Sequence, residues 1–180
     1  TINSITIPDF GWKKEKSTKT IMQWENPEQT IFLSLNYFES EPDLPSLKKT
    51  ALVRDFYRGQ IIQHNGGLIE ADLFELKNYK TIRTIFKIPQ QPSGIVYLAS
   101  LTIPFKDCSY VIKIQAPEIG ETGIRESTIS DQLLKDGTIS ITEDGFENWF
   151  SDPYRKEFKK GTLMNKAEDS IYDPYFENHP

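Results

Sequence analysis

One cysteine, Cys108, and two histidines, His64 and His179, are all that the 180-residue sequence holds of the residues that most often build disulfides and zinc sites. A lone cysteine cannot close an intramolecular disulfide, so nothing calls for an oxidising compartment, and a reducing, cytoplasmic one is expected. The histidines lack the H-x-x-x-H or Cys/His spacing of a zinc site, so no metal is expected. Cys108 sits in the short link Lys106–Ser109 with no neighbouring histidine to activate it as a nucleophile. No stretch approaches the roughly 20 apolar residues of a membrane span. The chain starts at Thr1 without Met, which leaves an exported or lipid-anchored form open. Basic residues are also short: 21 Lys and Arg against 26 Asp and Glu give a net charge of −5. Scattered cations on an acidic chain argue against a nucleic-acid partner. The single basic cluster, Lys13, Lys14, Lys16 and Lys19, is interrupted by Glu15 and reads as a solvated loop.

What the sequence does have is aromatic residues, 12% of the chain, in a length that suits one domain over 1–180. Thr30–Phe38 alternates Ile31, Leu33, Leu35 and Tyr37 against Phe32, Ser34, Asn36 and Phe38, the period of a strand. Ile21–Trp24 is its hairpin partner across the turn chemistry of Asn26-Pro27-Glu28, and a short strand is read at Ile2–Ile7. Ser46–Gln63 spaces Leu47, Ala51, Leu52, Phe56, Tyr57 and Ile61 as a helix, with Ser46 as N-cap and Asn65-Gly66-Gly67 after its end. Four strands follow at Leu68–Leu76, Thr81–Ile88, Ile95–Phe105 and Ser109–Ala116. Their links are short enough to make neighbours antiparallel, and the last two are apolar enough to sit at the sheet's centre. A second helix is predicted over Thr122–Leu134, with Ile124, Ile129, Leu133 and Leu134 facing the sheet. The pattern is α+β: about six antiparallel strands with helical cover and no βαβ rhythm. The core spans 1–145, and a tail over 146–180 wraps it through Trp149, Phe150, Phe158, Tyr172 and Phe176.

Two features carry candidate chemistry. The turn Glu118–Glu126 joins glycines, Thr122 and Arg125 at a helix start, where free amides and the helix dipole favour an anion. Its acids Glu118, Glu121 and Glu126 would repel one. The plainer reading is that Thr122 caps the helix and Arg125 pairs with a carboxylate. Those acids could also serve hydrolysis or a divalent ion, although no alternating Asp ligands or histidine support this. The second feature is the tripeptide Asp-Pro-Tyr, at Asp152–Tyr154 and again at Asp173–Tyr175. It suits either a protein contact or self-packing of the tail.

Trp24 before the strand Leu33–Phe38, the helix segment Leu52–Arg58, and the run from Gly94–Tyr97 through Ile103-Pro104-Phe105 to Glu118–Glu126 together resemble the PsbP/DcrB-like superfamily over about residues 10–135. That superfamily includes photosystem-associated lumenal proteins, bacterial lipoproteins and a Ran-GTPase-binding protein. The resemblance implies an α/β/α sandwich with helices on both faces of the sheet, and proteins that mostly bind or assemble without turnover. The tail looks like a feature of a bacterial branch.

The expected function is therefore a non-enzymatic protein-interaction or assembly module with a protein partner and no cofactor. Its binding residues would be Glu118, Glu121, Thr122, Arg125, Glu126, Asp152, Tyr154, Asp173 and Tyr175. A small-ligand binder or hydrolase using the 118–126 turn is a second reading, and an immunity or secretion-associated partner protein a third. Nothing in the pattern sets the oligomeric state.

Overall fold

Alternating apolar residues organise the chain around one large sheet. The structure, a computed structural model, describes residues 1–155, 157, 158 and 164–176. The elements are β1 (Lys13–Ser17), β2 (Ile21–Glu25), β3 (Phe32–Phe38), α1 (Thr50–Gln63), β4 (Gly67–Leu76), β5 (Tyr79–Pro89), β6 (Ile95–Pro104), β7 (Ser109–Pro117), α2 (Ile124–Lys135), β8 (Ser140–Thr142) and β9 (Gly145–Glu147). Strands β1 to β7 form an antiparallel sheet in the order β1-β2-β3-β7-β6-β5-β4, and β8 and β9 form a separate hairpin. The two most apolar strands, β6 and β7, lie inside the sheet as expected, with β7 at its middle.

Side chains along a strand alternate between faces, so the packing partners of adjacent residues show what covers each face. Phe86 and Ile88 of β5 pack with Leu68, Ala71 and the α1 residues Tyr57 and Ile61. Lys87, between them, points the other way and pairs with Glu126 of α2. The helices therefore cover opposite faces. On the α2 face, the N-terminal arm packs Ile2, Ile5 and Ile7 against Leu35, Ile103 and Tyr110, at the other end of the same strands.

Several local readings need correction. Ile2–Ser4 is a 3-10 turn and no strand. The basic segment read as a loop is β1, an edge strand with both faces exposed, which hides the alternation that a half-buried strand would show. Its lysines suit an edge that must not pair further. Helix α1 begins at Thr50 after Lys49, with no side-chain cap, so Ser46 does not cap it. Its buried residues are Val53, Arg58 and Ile61, while Leu52 is exposed. In α2, Ile124 is likewise exposed, and Arg125 takes the buried position one turn before Ile129 and two before Leu133.

After β9 the chain packs Trp149 and Ala167 against Ile129 and Leu133 of α2. Met164 meets the start of β4 so closely that a Cβ built on Gly67 would stand 2.7 Å from the Met164 Cγ and Sδ and 3.2 Å from its backbone N. Such contacts force displacement, and overpacking typically costs about 1–3 kcal/mol. Gly67→Ala is expected to lose stability in that range in urea unfolding, with partial recovery when Met164→Ala is added.

Candidate functional site

Three cations of the body are buried, and each is met by an acid from the tail. Arg58 of α1 donates from Nε to Asp152 Oδ2 at 2.6 Å and from Nη2 to Asp152 Oδ1 at 2.8 Å. The two side chains are 5% and 2% exposed, a bidentate pair sealed from water. Arg58 also donates to Asp55, whose other oxygen accepts from Arg155 of the tail at 2.8 Å. Burial alone would raise the Asp152 carboxyl. The Arg58 guanidinium and the amides of Tyr154 and Arg155 outweigh it and hold the carboxyl below the usual range.

Lys87, only 1% exposed, pairs with Glu126 of α2 and with Glu168 in the tail's 3-10 turn Lys166–Glu168. Burial works against its charge, yet the two carboxylates win and raise its pKa above the ordinary lysine value. Arg125 of α2 donates to the Ala167 carbonyl at 2.7 Å and to Asp173 Oδ1 at 2.7 Å, with the Phe176 ring 5.3 Å from its guanidinium. Asp173 belongs to a second 3-10 helix, Ser170–Tyr175.

The two Asp-Pro-Tyr units therefore do the same job on opposite faces of the sheet. Asp152 takes the α1 arginine and Asp173 takes the α2 arginine. Their tyrosines differ. Tyr154 seals the outer edge of β4: its hydroxyl accepts from the Ala71 amide at 3.0 Å, Arg54 donates to the Ala71 carbonyl at 3.1 Å, and the Arg54 guanidinium lies 3.7 Å over the Tyr154 ring. An open strand edge is thus closed by side chains. Tyr154→Phe is expected to cost about 1 kcal/mol and to speed hydrogen exchange at the Ala71 amide, read by NMR. Tyr175, in contrast, is 74% exposed.

The 118–126 turn closes on itself. Gly123 takes a φ of +82°, a left-handed value that favours glycine, at the start of α2, and its amide donates to Glu118 Oε1 at 3.1 Å. Thr122 is not the cap: Gly123 holds that position, and no side chain caps it. Glu121 and Thr122 are exposed, whereas Arg125 is buried. Among the predicted residues, the structure brings Arg125 and Asp173 together and sets Glu126 with the tail acid Glu168 around Lys87. It sets Asp152 with α1 and Tyr154 on the β4 edge.

Arg58, Lys87 and Glu168 were not singled out from the sequence, although a signal existed for the cations. Lys87 breaks the apolar run Ile85-Phe86-Lys87-Ile88, Arg125 is spaced by four from Ile129 and eight from Leu133, and Arg58 sits three before Ile61. A cation on an apolar stripe needs a buried partner. Glu168 carried no such mark.

Beside these pairs lies a cavity of about 460 Å³ on the α2 face, lined by Ile85, Tyr97, Ala99, Ile114, Arg125 and Asp173 among others. Among the described residues, no group of three or more His, Cys, Asp or Glu is placed to hold a metal ion, and no helix is long and apolar enough to cross a membrane.

No family model and no curated protein sequence matches the chain. Solved structures resemble its fold. The Ran-binding protein Mog1p of Saccharomyces cerevisiae aligns at 12% identity and a TM-score of 0.47, covering 77% of this chain and 86% of that one. A cyanobacterial PsbP from Synechocystis aligns at 9% identity and a TM-score of 0.43, covering 77% and 82%. A Bacteroides thetaiotaomicron protein aligns at 9% identity and a TM-score of 0.38, covering 61% of this chain, which spans 37% of that protein's length. Each is a distant likeness of structure alone.

Proposed function

We propose that the protein is a non-enzymatic interaction or assembly module whose contact surface is formed by the start of α2 and the end of the tail. The observation that carries this reading is the Arg125–Asp173 link. It ties the 118–126 turn to the Ser170–Tyr175 helix and leaves Ile119, Ile124, Ile171 and Tyr175 exposed on the two joined elements. Exposed apolar side chains beside an aromatic with a polar tip are typical of protein contacts. The buried Arg125 and its partner Asp173 hold the platform together. Glu121 and Thr122 lie at its rim, exposed and close to Ile119 and Ile124 in the chain.

Affinity capture with the wild-type chain and with an Ile124→Asp, Tyr175→Asp variant tests the reading. Both positions are solvent-facing, so thermal melting of the variant is expected to match wild type. A protein retained by the wild type and lost by the variant supports the surface. Recovery of the same proteins by both chains overturns it, as does recovery of none.

A further inference from the structure

We propose that the cavity on the α2 face is a binding site for a small amphipathic amine, with the apolar body on the sheet and the cationic head at the rim made by the tail. This is independent of the interaction surface, which uses the outward side of the same 3-10 helix.

Ile114 lies in β7, the middle strand, on the face covered by the N-terminal arm at one end and by α2 and the tail at the other. Two residues towards the arm, Ile112 packs with the Ile2 cluster, and two residues the other way Ala116 is buried. Ile114 between them is 43% exposed. It belongs to a cross-strand row with Ala99 and Ile85, all three lining the cavity, that presents an apolar floor. The small side chains of Ala99 and Ala116 leave the space above that floor unfilled. Its volume, about 460 Å³, falls in the range of small-molecule sites, which are likewise mostly apolar with a few placed polar groups.

The rim decides the charge of the ligand. Glu70, Glu168 and Asp173 line the cavity against a single cation, Arg125. Arg125 is already committed to the Ala167 carbonyl and to Asp173, so it has little to offer an incoming anion. Glu70 and Glu168 keep their own partners, Arg83 and Lys87. Asp173 is 62% exposed and therefore the acid most open to a ligand. The surrounding field agrees in sign. The Tyr97 hydroxyl, on the wall, is kept protonated first by burial and then by the carboxylates of Glu168, Glu126 and Glu118, which outweigh the opposing Arg125 guanidinium. An ammonium head is favoured there and a carboxylate head is repelled.

The test is an NMR titration of the full chain, labelled with nitrogen-15, with phenethylamine and, in parallel, with 3-phenylpropionate, which carries the same apolar body and the opposite charge. Phenethylamine is expected to give saturable shifts centred on Ile85, Ala99 and Ile114, at least about tenfold tighter than the acid. Ala99→Leu, which fills the cavity, is expected to weaken the amine by about tenfold or more. Glu70→Gln, a change at a partly exposed pair with little cost to folding, is expected to reduce the preference for amine over acid severalfold. The proposal is overturned if the amine gives no saturable shifts at this face, if the acid binds as well as the amine, or if the folded Ala99→Leu chain binds as wild type does. Should Ala99→Leu fail to fold, an unchanged preference in Glu70→Gln overturns it.

Discussion

Arg58→Ala is expected to lower stability by about 3–5 kcal/mol, the usual cost of removing one partner from a buried ion pair. The loss comes from Asp152, whose side chain is 2% exposed and would keep only the Tyr154 and Arg155 amides as donors. For a chain of this size the melting temperature falls by roughly 6–20 °C. Arg58→Lys keeps the charge but loses the planar fork that meets both carboxylate oxygens, so it is expected to lie between wild type and Arg58→Ala. The pH dependence follows from the direction of the shift. Asp152 has a depressed pKa in the folded chain, so its contribution is complete above the unfolded carboxylate value of about 3.9 and is lost as pH falls from there through the folded value. Wild type should lose stability in that acidic window, and Arg58→Ala should lose less, because the depression has gone. Thermal melts of both chains at neutral and acidic pH read this directly. Equal acid sensitivity would mean that the pair is not what holds Asp152 ionised.

Lys87→Met is expected to cost a similar amount, about 3–5 kcal/mol, and that cost also shrinks as pH falls, here through a raised carboxyl in the variant. Without the ammonium, Glu126 and Glu168 face each other across a site where Glu168 is 5% exposed. Like charges in low dielectric cannot both stay ionised without penalty, so one carboxyl takes up a proton and its folded pKa rises. A raised acid destabilises the fold at high pH and ceases to do so as pH falls to the unfolded Glu value of about 4.3. The deficit of Lys87→Met relative to wild type should therefore narrow between neutral pH and about pH 5. In wild type, Lys87 has a raised pKa, so its contribution is present below the ordinary lysine value of about 10.4 and is lost only as pH climbs through the folded value. Adding Glu168→Leu to Lys87→Met should recover part of the loss, because an apolar pair removes the buried charge instead of orphaning it.

The strands that form the interior of the sheet were legible because burial on one or both faces writes itself into the sequence as alternation or as an unbroken apolar run. Strand β1 was not, since an edge strand with no buried face has no pattern to show. The starts of both helices were misplaced for a related reason. Ser46 and Thr122 have the right chemistry for caps, but α1 starts four residues later, and the start of α2 is set by the left-handed Gly123 and the Glu118 carboxylate. The site was legible in half. The repeated Asp-Pro-Tyr stood out, and so did Arg125, but partners separated by 94 residues, as Arg58 and Asp152 are, leave no local trace. Arg58 and Lys87 interrupt apolar stripes, and that interruption is the mark by which a buried counter-charge can be sought elsewhere in a chain.

The acidic tail neutralises cations that the body buries, and this makes it part of the fold. Native-state hydrogen exchange of the unmodified chain tests this most directly. The amides of Tyr154, Arg155, Ala167 and Ile171 donate to side chains of the tail itself, so they stay protected only while the tail stays docked. With Asp152, Glu168 and Asp173 seated on Arg58, Lys87 and Arg125, opening free energies at Tyr154, Arg155 and Ala167 should approach those of the β5 and β6 amides. Exchange of these amides at unfolded-chain rates, while the sheet remains protected, would contradict it.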